Sequence, residues 1–276
     1  MSNTYDEFNG KVVLITGSSA GIGAAAALEF AKCGAHVVIT GRKAQTVKET
    51  AEECRKVSPK GLKALEVVVD ISKLDDCKRL VDTTIKTFGK LDVLVNNAAY
   101  GDITKIADPQ LIDKYETVMN TNLRSVIYLT QLSVEHLEKT KGNIINVSAI
   151  AGIRPSAMGF LYGMSKSALD MFSKCMALEL GPKGIRVNIV NPAAVRTDFG
   201  MSLGTMTRGQ FDGLMHVLAQ GYPLRRVGEA IDIANIILFL ASDKCSFVTG
   251  INFVSDGGSL YAPQGNAVDL NAIGKK

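Results

Sequence analysis

At 276 residues the chain has room for one large α/β domain or two small ones, and its 46% hydrophobic and 21% charged residues suit a globular protein with a sizeable core. The formal net charge of +4 is scattered rather than gathered into a Lys/Arg run, which argues against a nucleic-acid partner. No apolar run approaches the roughly 20 residues needed to span a bilayer. The opening MSNTYDEFNGKVV lacks the basic and apolar regions of a signal peptide. Cys33, Cys54, Cys77, Cys175 and Cys245 show no CxxC spacing and read as free buried thiols in a reducing compartment, so a cytoplasmic location is expected and no metal site is read.

Short β-branched runs alternate with amphipathic stretches along the chain. Lys11–Thr16, His36–Thr40, Ala64–Val69, Leu91–Val95, Asn143–Val147, Ile185–Val190 and Ile251–Val254 read as strands. Their near-continuous apolar character predicts burial on both faces, as in a parallel sheet. Ala44–Val57, Leu74–Phe88 and Leu161–Leu180 carry helical periodicity between them. The alternation predicts right-handed βαβ units and a Rossmann-like, doubly wound parallel sheet of seven strands with helices on both faces, in a single domain over residues 1–276. The longest irregular region runs from Pro192 to Gly228 and holds Phe199, Met201, Leu203, Met206, Phe211, Leu214 and Met215. It is either a lid over an apolar substrate or an ordinary helix packing its face. Residues 263–276 form a C-terminal tail.

The segment TGSSAGIG follows the first strand directly and opens the first helix. Gly17, Gly21 and Gly23 leave the backbone free to bend and to approach a pyrophosphate, with helix-start N–H groups facing the anion. The second strand ends in Thr40-Gly41-Arg42-Lys43. An NAD site commonly carries a carboxylate there for the ribose 2′-hydroxyl. Arg42 instead offers a fork suited to a 2′-phosphate, unless it is a solvated loop residue, and NADP is the expected cofactor. At the third strand's end Asp70-Ile71 would lie beside an adenine, although Asp70 also suits a turn or cap before Ser72. The fourth strand ends in Asn96-Asn97-Ala98-Ala99, where small residues allow close approach and asparagines brace backbone.

Tyr162 and Lys166 stand at i and i+4, one above the other on a helical face. A phenol near its reference pKa of about 10 is a sluggish acid at neutral pH. A neighbouring ammonium stabilises phenolate and brings that value toward the working range.

Taken together, these stretches resemble the short-chain dehydrogenase/reductase family over nearly the whole chain. The motif TGxxxGIG falls on Thr16–Gly23, NNAG on Asn96–Ala99 with alanine replacing glycine, and the active-site asparagine on Asn122 within VMNTNL. YxxxK falls on Tyr162 and Lys166, NPG on Asn191-Pro192-Ala193, and a nicotinamide-binding threonine on Thr197. The SDGG at Ser255–Gly258 also fits. The resemblance implies that Tyr162 gives a proton to a carbonyl oxygen as hydride arrives. Lys166 would bind the nicotinamide ribose and lower the tyrosine pKa. Asn122 would relay protons from Lys166 to solvent through a water, unless it simply supports a kink in a long helix. Cofactor contacts are implied for Gly17, Ser18, Ser19, Gly21, Ile22, Gly23, Arg42, Asp70, Ile71, Asn97, Ala98, Ala99, Tyr162, Lys166, Pro192, Val195 and Thr197.

One member of the family's set is missing. Its strand ends in Ser-Ser-x-x-Gly, and the second serine holds the substrate oxygen. Alignment on Gly152, and on the thirteen residues that separate the position from Tyr162, places Ala149 there and Ser148 just before it. Successive strand side chains alternate faces, so Ser148 is expected to aim away from the substrate unless a bulge re-aims it. Two functions therefore stand. One is an NADPH-dependent reductase of a ketone or aldehyde, expected to be an apolar one. The other is a catalytically impaired NADP(H)-binding sensor or assembly protein. The resemblance also implies a homotetramer or dimer built on the long helices that start near Asn122 and Leu161.

Overall fold

The computed structural model describes residues 7–156, 159–202 and 207–262. Seven strands form one parallel sheet in the order β3-β2-β1-β4-β5-β6-β7. They are β1 Val12–Ile15, β2 His36–Gly41, β3 Leu65–Val68, β4 Val93–Asn96, β5 Asn143–Val147, β6 Arg186–Pro192 and β7 Asn252–Ser255. All six pairings are parallel, with Leu14 opposite Val38 on one side and Leu94 on the other. The chain runs outward from β1 to β3 and then crosses back to β4 beside β1. That reversal opens a crevice at the strands' C-terminal ends, where ligands of such sheets bind.

Strand alternation divides the core in two. Val13 and Ile15 face a layer made by α1 (Gly21–Lys32), α2 (Ala44–Val57) and α9 (Ala230–Ala241), filled by Phe30, Val47, Ile233 and Ile237. Val12 and Leu14 face the other layer, where Leu80 of α3 (Leu74–Phe88), Leu129 and Leu137 of α5 (Ser125–Thr140) and Leu180 of α6 (Phe160–Leu180) pack. Side chains of β1, β4 and β5 are buried throughout, as a doubly covered strand requires. Edge position changes this at β3, where Glu66 and Val68 are exposed and only Val67 is buried. Here the expectation of burial on both faces fails.

Two other expectations change. Pro192–Gly228 is not one irregular region: it contains α7 (Phe199–Ser202) and α8 (Arg208–Gly221). Thr207 caps α8, accepting from the Gln210 N–H at 3.3 Å while the Gln210 side chain accepts from the Thr207 N–H at 2.9 Å. Phe211 and Met215 of α8 pack with Tyr222 and Val227 in a satellite core, so the helix-packing alternative describes this segment. Leu203, Met206 and the tail 263–276 lie outside the described residues. Of the thiols, all free, Cys54, Cys77 and Cys245 are buried, whereas Cys175 is exposed and Cys33 is intermediate. Among the described residues no helix is long and apolar enough to cross a membrane.

Candidate active site

A cleft of ≈2080 Å³ runs along the C-terminal ends of the strands, from Arg42 at one end to Leu218 on α8 at the other. Sites for one small molecule usually occupy about 300–1,000 Å³, so this one has room for a dinucleotide and a second reactant.

Its nucleotide half is built from the β1–α1 turn. Gly17 has φ +64°, and a Cβ there would come within 2.9 Å of Ala98, so the turn depends on glycine in both conformation and space. A Cβ on Gly23 would stand 2.5 Å from the Gly17 carbonyl and from Asn97 Nδ2. Gly23 does not itself line the cleft; it lets α1 start close against the turn. Helix α1 has no side-chain cap at Ala20 and no acidic residue in its first turn. Its first N–H groups are thus left for an anion.

Ser18 has its side chain engaged within the sheet. Its side chain is fully buried, donating to the Ile15 carbonyl at 2.8 Å and accepting from the Thr40 N–H at 2.8 Å. It staples β1 to β2 and leaves only its backbone for a ligand. Ser19, Ile22, Ile71, Ala98 and Ala99 line the cleft. Asn97 braces the turn, donating to the carbonyls of Thr16 at 2.9 Å and Gly17 at 3.2 Å. Asn96 points into the sheet instead and donates to Asn146 at 2.8 Å. Asp70 does serve as a turn residue, accepting from the N–H and hydroxyl of Ser72 on one oxygen, yet it also borders the cleft. Arg42 is exposed at the cleft edge and makes no hydrogen bond or ion pair among the described residues. At the far side Pro192, Val195 and Thr197 line the cleft, and Thr197 lies over the turn, 3.3 Å from where a Gly21 Cβ would stand.

The reacting half is carried by α6. Tyr162 and Lys166 both border the cleft, with the Lys166 ammonium 5.5 Å from the Tyr162 ring centroid. Lys166 Nζ donates to the Val147 carbonyl at 2.8 Å. Burial pulls its pKa from the ordinary 10.5 to about 8, against an opposing pull from Asp170. Burial also pushes the Tyr162 phenol above its usual value. The sequence spacing predicts a phenol eased by its lysine; here loss of hydration dominates both groups. The Phe199 ring, 5.7 Å from that of Tyr162, is part of this enclosure; the sequence placed it in the candidate lid but not against the tyrosine.

Asn122 sits in a π-helical turn, Asn120–Arg124, between α4 (Leu111–Met119) and α5. The helix is interrupted at this residue, as the kink alternative expects. Its side chain clamps Tyr100, accepting from the Tyr100 N–H at 2.7 Å and donating to the Tyr100 carbonyl at 2.8 Å. The second amide proton goes to the Ser165 hydroxyl at 2.9 Å. Both donors are therefore committed, and a proton relay from Lys166 has no free side-chain N–H to use.

At the end of β5, Ser148 is 3% exposed and its hydroxyl donates toward the Lys166 carbonyl at 3.3 Å and the Asp170 carboxylate. Ala149 borders the cleft in extended backbone, φ −165° and ψ 161°, with its carbonyl accepting from Asn191 at 3.1 Å. The Asp170, Asn191 and Asn252 network below it went unread in the sequence, where Asp170 was one polar residue on a long helix.

Comparison with known proteins agrees with this geometry. A family model described as enoyl-(acyl carrier protein) reductase matches residues 17–259. Tropinone reductase-like 3 of Erythroxylum coca is 37% identical over 256 residues, 91% of this chain and 94% of that one. Glucose 1-dehydrogenase of Gluconobacter oxydans is 39% identical over 259 residues, 93% of this chain and 94% of that one. A crystal structure of a short-chain dehydrogenase/reductase of unknown function from Caenorhabditis elegans, solved with cofactor, superposes with a TM-score of 0.86 at 37% identity, covering 93% and 97% of the two chains. The protein under study is a member of the short-chain dehydrogenase/reductase family, and so an oxidoreductase that uses NAD or NADP on a small-molecule substrate.

Proposed function

We propose that this protein is an NADPH-dependent reductase of a ketone or aldehyde with substantial apolar surface. The observation that carries the reading is the shared cleft: Tyr162 and Lys166 open onto the same space as the glycine turn and Arg42, which has no partner among the described residues. Arg42, at a strand end without a carboxylate, favours the 2′-phosphate of NADP over the hydroxyl of NAD. The glycine turn would hold the pyrophosphate, with Asp70 and Ile71 beside the adenine. Asn97, Ala98, Ala99, Pro192, Val195 and Thr197 would border the nicotinamide half. Leu214, Val217 and Leu218 of α8 give the substrate end an apolar wall, which supports residues 192–228 as the substrate-binding segment.

When bound, the dinucleotide supplies the hydride that reaches the carbonyl carbon. Tyr162 gives its phenolic proton to the carbonyl oxygen, which leaves an alcohol and a phenolate. Lys166, as a cation, stabilises that phenolate and anchors the ribose hydroxyls. Because the Asn122 side chain is committed to Tyr100 and Ser165, its part in returning a proton falls to its backbone, in the widened π turn. Assembly as a dimer or tetramer is supported by the stripe of exposed Met164, Met171 and Leu178 on α6, spaced seven residues apart. The test is loss of NADPH absorbance with a carbonyl panel, with NADH in parallel and light scattering for the assembly state.

Ala149 favours a second reading, an impaired NADP(H) binder. Tight NADPH binding with flat traces on every carbonyl would select it.

A further inference from the structure

Lys166 is 2% exposed and Asp170 6% exposed, one helical turn apart on α6. Burying either charge alone costs several kcal/mol, so their joint burial calls for a reason. Tyr162, Lys166 and Asp170 fall at i, i+4 and i+8 and share one helix face. Neutral donors from three strand ends converge on the Asp170 carboxylate. Asn191 Nδ2 approaches its oxygens at 3.0 and 3.3 Å, Asn252 Nδ2 at 2.9 Å, and the Ser148 hydroxyl completes the set. Burial pushes the Asp170 pKa above the usual carboxylate value, and these hydrogen bonds, which favour carboxylate over acid, oppose that rise. Among the described residues, the charged group acting on Asp170 is Lys174 on its own helix, and Asp170 in turn acts on Lys166 one turn back; β5, β6 and β7 present Ser148, Asn191 and Asn252. The ammonium of Lys166 donates to one neutral partner, the Val147 carbonyl, and Asp170 is the charged group that acts on it.

We propose that Asp170 is a positioning residue for the reaction, its buried carboxylate supplying the negative charge that holds Lys166 as a cation beside Tyr162. The inference rests on the reductase reading, in which a charged Lys166 is what eases proton release from Tyr162. Asn191 and Asn252 then serve the chemistry at one remove, their hydrogen bonds favouring the charged form of that carboxylate against its burial.

Loss of the carboxylate lowers the Lys166 pKa, because Asp170 is the charged group that offsets its desolvation. Carbonyl reduction needs the ammonium, so the rate falls as pH rises through that pKa, and the fall begins earlier without Asp170. Asp170→Asn preserves volume, and Asp170→Ser offers a second neutral side chain should the asparagine crowd the Asn191 and Asn252 amides. With saturating NADPH, the alkaline limb of kcat should move down by about one pH unit in either variant, with the acid-side rate largely kept. A uniform loss at every pH with the limb unmoved makes Asp170 a structural brace and overturns the proposal. A second readout needs no turnover: NMR of lysine labelled at Cε, with the Lys166 signal assigned by its absence in Lys166→Met. Its titration midpoint should be at about 8 or above in the unsubstituted protein and lower in the variants. A chain inert to every carbonyl would defeat the reductase reading and leave this midpoint to decide the Asp170 role. Lys166 already neutral at pH 7 in the unsubstituted protein, or an unchanged midpoint in a folded variant, refutes it.

Discussion

Ala149→Ser adds one hydroxyl where the site has none free. Ser148 cannot supply it as it stands, since its proton is directed to the Lys166 carbonyl and the Asp170 carboxylate. Ala149 has extended backbone that any residue adopts, its carbonyl is already held by Asn191, and it borders the same cleft as Tyr162. One added oxygen should therefore be accommodated with little strain. A fully preorganised donor to developing oxyanion charge is worth about 10²–10³ in rate. A single rotatable hydroxyl with no partner to orient it is better valued as a hydrogen bond to a charged group, about 1.5–3 kcal/mol, or about ten- to a hundredfold. The gain should appear in kcat, because the bond strengthens as the oxygen gains charge. Ser148→Ala is the companion. It removes a donor from Asp170 and should cost about 1 kcal/mol of stability while leaving most of kcat. The assay is NADPH oxidation by both variants on one ketone at saturating cofactor, with denaturant unfolding alongside. If Ser148→Ala abolishes turnover while Ala149→Ser does nothing, the alignment is displaced by one residue and Ser148 is the oxygen-holding group.

Tyr162→Phe keeps the ring packed beside Phe199 and removes only the acid; carbonyl reduction should fall by about two orders of magnitude or more while NADPH binding, followed by fluorescence, persists. Arg42→Ala should weaken NADPH about ten- to a hundredfold and spare NADH, and because Arg42 has no partner among the described residues, unfolding should not change; equal weakening of both cofactors would make Arg42 structural. Lys166→Met should abolish reduction yet stabilise the fold at pH 7. The native pKa of about 8 against an ordinary 10.5 marks about 3 kcal/mol of desolvation cost, less about 1 kcal/mol for leaving the Val147 carbonyl unpaired. That cost is fully present below about pH 8 and fades as pH rises toward 10.5, where the unfolded lysine also loses its proton, so the gain measured by denaturant unfolding should shrink over this window.

Legibility in the sequence followed how local each signal is. The seven strands and the helices Ala44–Val57 and Leu74–Phe88 were readable because burial on a sheet or along one helix face leaves a pattern within a few residues. The exposure of Glu66 and Val68 was not, since edge position depends on where β3 falls in the sheet order. Helix α8 was legible only as one of two alternatives, because its glycines look irregular until Phe211 and Met215 meet Tyr222 and Val227 from later in the chain. The same divide runs through the site. Tyr162, Lys166, the glycine turn and Arg42 sit in contiguous motifs. Ser18 is named by its motif, but the motif does not show that its hydroxyl is tied to β1 and β2, leaving its backbone for a ligand. Asn122 is found by motif but not understood from it, since its partners Tyr100 and Ser165 lie 22 and 43 residues away.

Ala149 and Arg42 together bear on which of the two functions holds. Every feature of the nucleotide half is formed: the turn, an uncapped helix start, an unpartnered arginine and a cleft wide enough for a second reactant. A pure binder would need that half alone. Such a binder could use Lys166 to anchor the ribose, but it would have no use for a buried carboxylate one turn below it, hydrogen-bonded by Asn191 and Asn252. Retention of so costly an arrangement argues for proton transfer at Tyr162. The missing hydroxyl at position 149 then constrains the substrate rather than the activity. On the proposed mechanism a carbonyl oxygen in this cleft receives its hydrogen bond from Tyr162, so a substrate that carries its own donor next to the carbonyl regains part of what the alanine withholds. An α-hydroxy ketone should therefore be reduced faster than the ketone lacking the hydroxyl, and Ala149→Ser should narrow the difference. Equal rates for the pair in the unsubstituted enzyme would show that the site makes no demand for a second donor.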